Sequence, residues 1–336
     1  MAPKREAFAI GEFSIEAGSR ASIKLPAAKL YNDTPLELHV EVFHSKKPGP
    51  VLLVCAAIHG DELNGIEICR RLIDKVNIKT LTGTLVVVPI VNVFGFIHQS
   101  RYLPDRRDLN RCFPGSAKGA LASRLAHLFS NELLKKATHI VDLHTGAIHR
   151  DNFPQIRCDT DDEVMMAMAT AFGAPVIMDS KSVKGSMRGY ANEKGIACIL
   201  YEAGEALRFS ELSIKSGVTG VLNVMRYLGM LNSKLKPTAS INASRSYWLR
   251  SEADGLVNVK RKIGARVSKG CLLANVVNPL GGEVTELRSP TDGIIIGLTN
   301  IPVANEGEAL FHIAQFVGDD IEIANEHLDE FISTYA

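Results

Sequence analysis

The sequence predicts an α/β protein with a mixed, largely parallel sheet flanked by helices, followed by a small all-β unit. Three observations carry this prediction. Continuous apolar runs such as Val51-Leu52-Leu53-Val54-Cys55-Ala56-Ala57-Ile58 are the signature of strands buried on both faces. Over residues 51–231 such runs alternate with amphipathic stretches, the rhythm of a sheet covered by helices. Past residue 245 the rhythm changes to short apolar runs between Gly, Pro and Asp turns, which reads as all-β.

Taken in order, residues 1–44 form an N-terminal β segment, because Leu36, Leu38, Val40 and Val42 alternate with Glu37, His39 and Glu41, the period of a half-buried strand. Residues 45–231 make the main α/β domain. After the strand at 51–58, Leu63, Ile66, Cys69 and Ile73 separate from Glu67 and Arg70 as the two faces of a helix. A strand follows at 84–91, and a helix at 121–134 with Leu121, Leu125, Leu128, Phe129 and Leu133 on one side. Strands at 140–143, 175–178 and 197–201 alternate with helices at 163–172 and 211–231. The stretch 92–119 is far longer than an ordinary connection and carries Arg101, Arg106, Arg107 and Arg111; loops of this length in a compact domain are usually functional or disordered.

Residues 232–244, polar and containing Pro237, read as a linker. The unit at 245–316 contains an internal echo: Ser251-Glu252-Ala253-Asp254-Gly255-Leu256-Val257 and Ser289-Pro290-Thr291-Asp292-Gly293-Ile294-Ile295 share one pattern. Two such halves predict a small β-sandwich, and the pattern resembles the lipoyl/biotinyl-like hammerhead. The expected hairpin tip, Asn278-Pro279-Leu280-Gly281-Gly282, has no lysine to carry a prosthetic arm, so the unit is expected to be structural or gating. The acidic tail at 317–336 is expected to be helical.

Composition narrows the function classes. Lys+Arg 38 against Asp+Glu 37 gives a formal charge of +1, so no global field exists to grip a nucleic acid or an anionic membrane. No apolar run approaches the roughly 18–20 residues of a membrane span. The six cysteines contain no C-x-x-C pair, a scatter that fits reduced, buried thiols. The opening residues carry no apolar core of a secretory signal. A cytoplasmic protein is expected, and a homo-oligomer is compatible with the sequence.

The chemistry concentrates at strand ends, where open α/β sheets collect their sites. His59-Gly60-Asp61-Glu62 follows the strand at 51–58 and opens a helix, and His144 closes the strand at 140–143. Two imidazoles and one carboxylate are the ligand set of catalytic zinc, with a position left open for water. Asp142, two residues before His144, is placed to orient an imidazole from behind. A proton acceptor is expected at the end of the last buried strand, where Glu202 lies nearer than Glu205. The arginines of 101–111 can fork onto a carboxylate or hold an oxyanion. The histidines at 39, 44, 98, 127, 139, 149 and 312 read as surface or core residues.

His59-Gly60-Asp61-Glu62, Asp108-Leu109-Asn110-Arg111, Asp142-Leu143-His144 and Tyr201-Glu202-Ala203-Gly204 resemble, in order and setting, the succinylglutamate desuccinylase/aspartoacylase family, relatives of the zinc carboxypeptidases. The resemblance spans about residues 45–230 and extends to the appended β unit. It implies one zinc ion per chain on His59, Glu62 and His144, with Glu202 as general base and acid. It further implies that Asn110 and Arg111 hold the substrate carboxylate. Arg101 resembles the arginine that polarises the scissile carbonyl. Because the stretch to Asn110 is longer than in aspartoacylase, Arg106 competes with it. Arg188 resembles another anion-binding arginine. The expected activity is hydrolysis of the amide of an N-acyl amino acid or related small amine. The alternatives are a metallocarboxypeptidase for short peptides and a non-catalytic small-anion-binding protein.

Overall fold

The structure, a computed structural model, describes residues 5–235, 239–243, 245–316 and 320–335. Its centre is one 13-stranded mixed sheet. Val51–Ala56 lies between Thr84–Val88 and His139–Gly146, and His139–Gly146 is followed by Ala197–Glu205, all four parallel. Pro35–His44 and Ser19–Lys29 extend one edge antiparallel. The fold is thus the mixed α/β sheet with flanking helices that the sequence predicts.

The apolar runs are unbroken because each face of the sheet has its own core. Leu53, Cys55 and Ile140 point into one cluster with Leu109, Phe113, Phe129 and Met187. Leu52, Val54, Val141, Leu143, Ile199 and Tyr201 point into the other, under the helices Asn64–Lys75, Glu163–Phe172 and Glu211–Tyr227. The period of two therefore sorts residues between two apolar faces, with no polar face to mark the alternation.

Two elements that bear on the pocket are among those absent from the sequence reading. Arg150–Cys158 is a strand that pairs antiparallel with Ala197–Glu205. Met187–Glu193 is a short helix capped by the Ser186 hydroxyl, which accepts from Gly189 N. Within the stretch read as a linker, Ile241–Ala243 forms a strand parallel to Val176–Asp179, with Ile241 and Ala243 buried. The linker residues 236–238 and 244 lie outside the described residues.

The C-terminal β unit divides between two sheets. Val284–Arg288, Leu272–Val277, Gly255–Val259 and Val303–Ala304 form a four-stranded antiparallel sheet. Gly293–Thr299, Ala309–Gln315 and Arg245–Arg250 instead continue the main sheet, Gly293–Thr299 pairing antiparallel with Arg150–Cys158. The β unit is therefore stitched by backbone hydrogen bonds to a strand of the α/β core. Asp320–Tyr335 is a helix that buries Leu328, Phe331 and Tyr335. Among the described residues, no helix is long and apolar enough to cross a membrane.

Candidate metal centre and catalytic pocket

The chain leaves Val51–Ala56 through Ala57, at a positive φ of 52°, and turns sharply into His59-Gly60-Asp61-Glu62. Gly60 is required there, because a side chain would collide with the Gly95 and Phe96 backbone. The turn drops into the helix Asn64–Lys75. Asn64 fixes that helix start to the strand end bearing Glu202, donating to the Ala203 carbonyl at 3.2 Å and accepting from Ser210 N at 3.0 Å.

His59, Glu62 and His144 meet in a buried group whose ligand atoms all lie within 4.8 Å of one another. Glu62 Oε1 is 2.7 Å from His59 Nδ1, and Oε2 is 2.8 Å from His144 Nδ1. Thr145 N also donates to Oε2, at 3.2 Å. Each imidazole is held from behind through its other nitrogen. Asp142 Oδ2 lies 2.9 Å from His144 Nε2, and Asp108 Oδ1 lies 3.2 Å from His59 Nε2. With a proton on each Nε2, both Nδ1 lone pairs face the centre, the carboxylate–histidine arrangement that orients metal ligands. Zinc bonds of about 2.0–2.2 Å to nitrogen and carboxylate oxygen suit this donor set and this spacing.

The electrostatics match a site built for a cation. Burial works against charge on both imidazoles. Glu62 with Asp108, and Asp142 with Glu62, outweigh it and push His59 and His144 above the ordinary imidazole value. Burial likewise pushes the Glu62 carboxyl up, yet the two imidazoles pull it well below the carboxylate range. Asp108, resisted only by its burial, is held low by His59 and Arg101. The centre therefore keeps its carboxylates ionised at neutral pH.

Register sets the rest of the pocket. In the parallel pair of Ala197–Glu205 with His139–Gly146, Glu202 stands opposite His144. Neighbouring strands lie about 4.8 Å apart, so the two side chains rise side by side from one sheet face. Glu205, the competitor for this role, instead accepts from His149 N at 3.0 Å and Asn300 Nδ2 at 2.8 Å, a tie to the C-terminal β unit.

A pocket of about 330 Å³ opens over the centre, lined by His59, Glu62, His144, Glu202, Arg101, Asn110, Arg111 and Arg188. Arg101 Nη2 donates to Asp108 Oδ2 at 2.9 Å, and Nη1 lies 3.3 Å from His59 Nδ1. Asn110 Oδ1 accepts from Met187 N at 2.8 Å, docking the long loop onto the short helix. Arg111 Nη1 donates to the Asn110 carbonyl at 2.7 Å. Arg188 is buried and donates to the Ser180 carbonyl at 2.8 Å. Arg106 does not join them: it sits exposed on a turn at a positive φ of 62°, outside the pocket lining. Of the two competing arginines, Arg101 is the one that the fold brings to the centre.

The sequence reading did not assign a role to Asp108, Arg150, Asn152, Arg157 or Trp248. Asp108 carried a signal, lying two residues before Asn110 in the same motif. Trp248 comes from the C-terminal β unit, where it stacks on His312 at 4.3 Å and has the Arg150 guanidinium over its ring at 5.5 Å. Nothing local in the sequence marks it as a pocket residue.

Known proteins resemble this chain in sequence and in fold. The description "Succinylglutamate desuccinylase/Aspartoacylase catalytic domain" matches residues 48–228. Over 284 residues the chain is 25% identical to N-alpha-acetyl-L-2,4-diaminobutyric acid deacetylase of Halomonas elongata, covering 80% of this chain and 83% of that one. A succinylglutamate desuccinylase/aspartoacylase from Rhodobacter sphaeroides superposes with a TM-score of 0.79 at 22% identity, over 89% of this chain and 96% of the other. The product-bound ectoine utilization protein EutE (DoeB) of Ruegeria pomeroyi gives a TM-score of 0.79 at 26% identity, over 89% and 95% of the two chains. The buried His-Glu-His triad is typical of the zinc site in this family. A family model that spans more than half of the chain, set on this triad, establishes that the chain belongs to the succinylglutamate desuccinylase/aspartoacylase family.

Proposed function

We propose that the protein is a zinc-dependent amidohydrolase that removes the acyl group from an N-acylated amino acid. The observation that carries this reading is the buried His59-Glu62-His144 triad with Glu202 abreast of His144, at the floor of an arginine-lined pocket. When bound, zinc supplies a Lewis acid that acidifies water and polarises an acyl oxygen. Glu202 takes the proton of the attacking water as a C–O bond forms at the amide carbon. It then delivers that proton to the amine nitrogen as the C–N bond breaks, so acid and amine leave with protons balanced. Arg101, held in place by Asp108, stabilises the oxyanion. Asn110 and Arg111 anchor the substrate carboxylate, with Arg188 behind them.

The charge of the pocket favours an acidic or neutral amino acid over one with a cationic side chain. Arg101, Arg111, Arg150 and Arg188 line it, while Arg157, also in the lining, is paired with Glu202 and adds no free charge for substrate. Glu62 is engaged by both imidazoles and Glu202 by Arg157, which among the described lining residues leaves no carboxylate for a substrate ammonium. The small volume supports a single N-acyl amino acid over a peptide chain.

The test is amine release by zinc-loaded enzyme from N-acetyl and N-succinyl amino acids, with short peptides alongside. Turnover of N-acyl amino acids is expected. Turnover of peptides alone establishes the metallocarboxypeptidase, and binding without turnover of any of them establishes the anion-binding protein.

A further inference from the structure

Both oxygens of the Glu202 carboxylate are held by a single neighbouring strand. Asn152 Nδ2 donates to Oε1 at 2.8 Å, and Arg157 Nε lies 2.9 Å from Oε2. In a regular strand, residues five positions apart point to opposite faces, and these two could not share one carboxylate. The strand Arg150–Cys158 is not regular. Its pairing sets Leu200 opposite Arg157, Tyr201 opposite Ile156 and Glu202 opposite Gln155, then resumes with Gly204 opposite Asn152. Two steps along one strand thus match three along the other, which is a β-bulge. The extra residue falls at Phe153–Pro154, where proline has no N–H to offer the ladder.

The bulge reverses the alternation. Arg157 comes to flank Glu202 on one side and Asn152 on the other. Ile156 and Cys158 turn away into the helix-covered core, and Phe153 packs against Phe331 of the C-terminal helix.

We propose that Asn152 and Arg157 are positioning residues that clamp the Glu202 carboxylate for proton transfer, aimed at it by the bulge at Phe153–Pro154. The clamp rests on the reading of Glu202 as the proton carrier. A glutamate side chain has considerable rotamer freedom to lose, and proton transfer needs heavy atoms within about 2.6–3.2 Å. A misplacement of about 1 Å costs on the order of 100-fold in rate. The Asn152 amide fixes Oε1 without competing for the proton. The Arg157 guanidinium adds an ion-pair contact of 2.9 Å at Oε2, its Nε lying outside hydrogen-bond alignment.

The test measures kcat, KM, zinc content and thermal midpoint for Arg157→Met, Asn152→Leu and Arg157→Lys. It places Arg157→Met in the Glu202→Gln background as well. The clamp predicts that Arg157→Met and Asn152→Leu lose about 10–100-fold in kcat, the usual effect of removing an orienting partner, with zinc retained. KM stays within about threefold, as expected where substrate binding is untouched. Arg157→Lys recovers part of the loss, and in the Glu202→Gln background Arg157→Met costs nothing further. Unchanged kcat in both clamp variants overturns the proposal, as does a rise in KM alone. A loss from Arg157→Met that persists in full in the Glu202→Gln background also overturns it, because Arg157 then acts on something other than Glu202. Wild-type turnover by Glu202→Gln removes the proton-carrier reading and the clamp together. Loss in Glu202→Gln with intact clamp variants removes the clamp alone.

Discussion

The strands His139–Gly146 and Arg150–Cys158 flank the strand of Glu202 from opposite sides, and they aim their side chains by opposite means. In His139–Gly146 the alternation is unbroken: Val141 and Leu143 face one core, while Ile140, Asp142 and His144 rise on the other face. In Arg150–Cys158 the alternation fails at Phe153–Pro154, and that failure brings Asn152 and Arg157 to the same carboxylate. A regular strand places a metal ligand by counting in twos. A bulged strand places two partners around a target that a regular strand could address only once.

The largest expected effect comes from breaking the regular side. His144→Ala removes a ligand from the triad, and hydrolysis is expected to fall to background with loss of stoichiometric zinc, as measured by metal analysis and amine release. Retained zinc and turnover would remove His144 from the centre. The clamp variants on the bulged side are expected to be milder, lowering kcat while zinc stays. Zinc loss in those variants would erase the division of labour between the two strands.

The smallest effect sharpens the bulged side. Asp151 lies next to the clamp, and its carboxyl is pushed up to about 6 by burial and by the neighbouring Glu205 carboxylate. A carboxyl raised on folding contributes stability below its unfolded value, and that contribution is lost as pH rises through the folded value. Asp151→Asn is therefore expected to stabilise the protein by about 1–2 kcal/mol near pH 8, with the gain vanishing toward pH 4. Thermal or urea unfolding at the two pH values measures it. An equal gain at both would show that ionisation of Asp151 is not the cause.

The same contrast explains what could be read in the sequence. Val51–Ala56, His139–Gly146 and Ala197–Glu205 were legible because both of their faces are apolar, leaving unbroken runs. Their ends then pointed to His59, Glu62, His144 and Glu202. Arg150–Cys158 was illegible because proline and five charged or amide residues obscure it and its bulge destroys the period of two. With that strand unseen, Asn152 and Arg157 had no place next to Glu202. Trp248 was hidden for another reason. It reaches the pocket through the pairing of Arg245–Arg250 with Ala309–Gln315, and of Gly293–Thr299 with Arg150–Cys158, long-range contacts that no local pattern announces. The choice of Arg101 over Arg106 depended on loop geometry, since both arginines lie in one basic stretch and only one turns inward.

The most direct measurement of the central claim is kcat of zinc-loaded Glu202→Gln on the best N-acyl amino acid substrate. The account expects full zinc occupancy and a loss of about 100- to 10,000-fold, the contribution of a positioned general base and acid. Turnover at the wild-type rate by that zinc-loaded variant would contradict it.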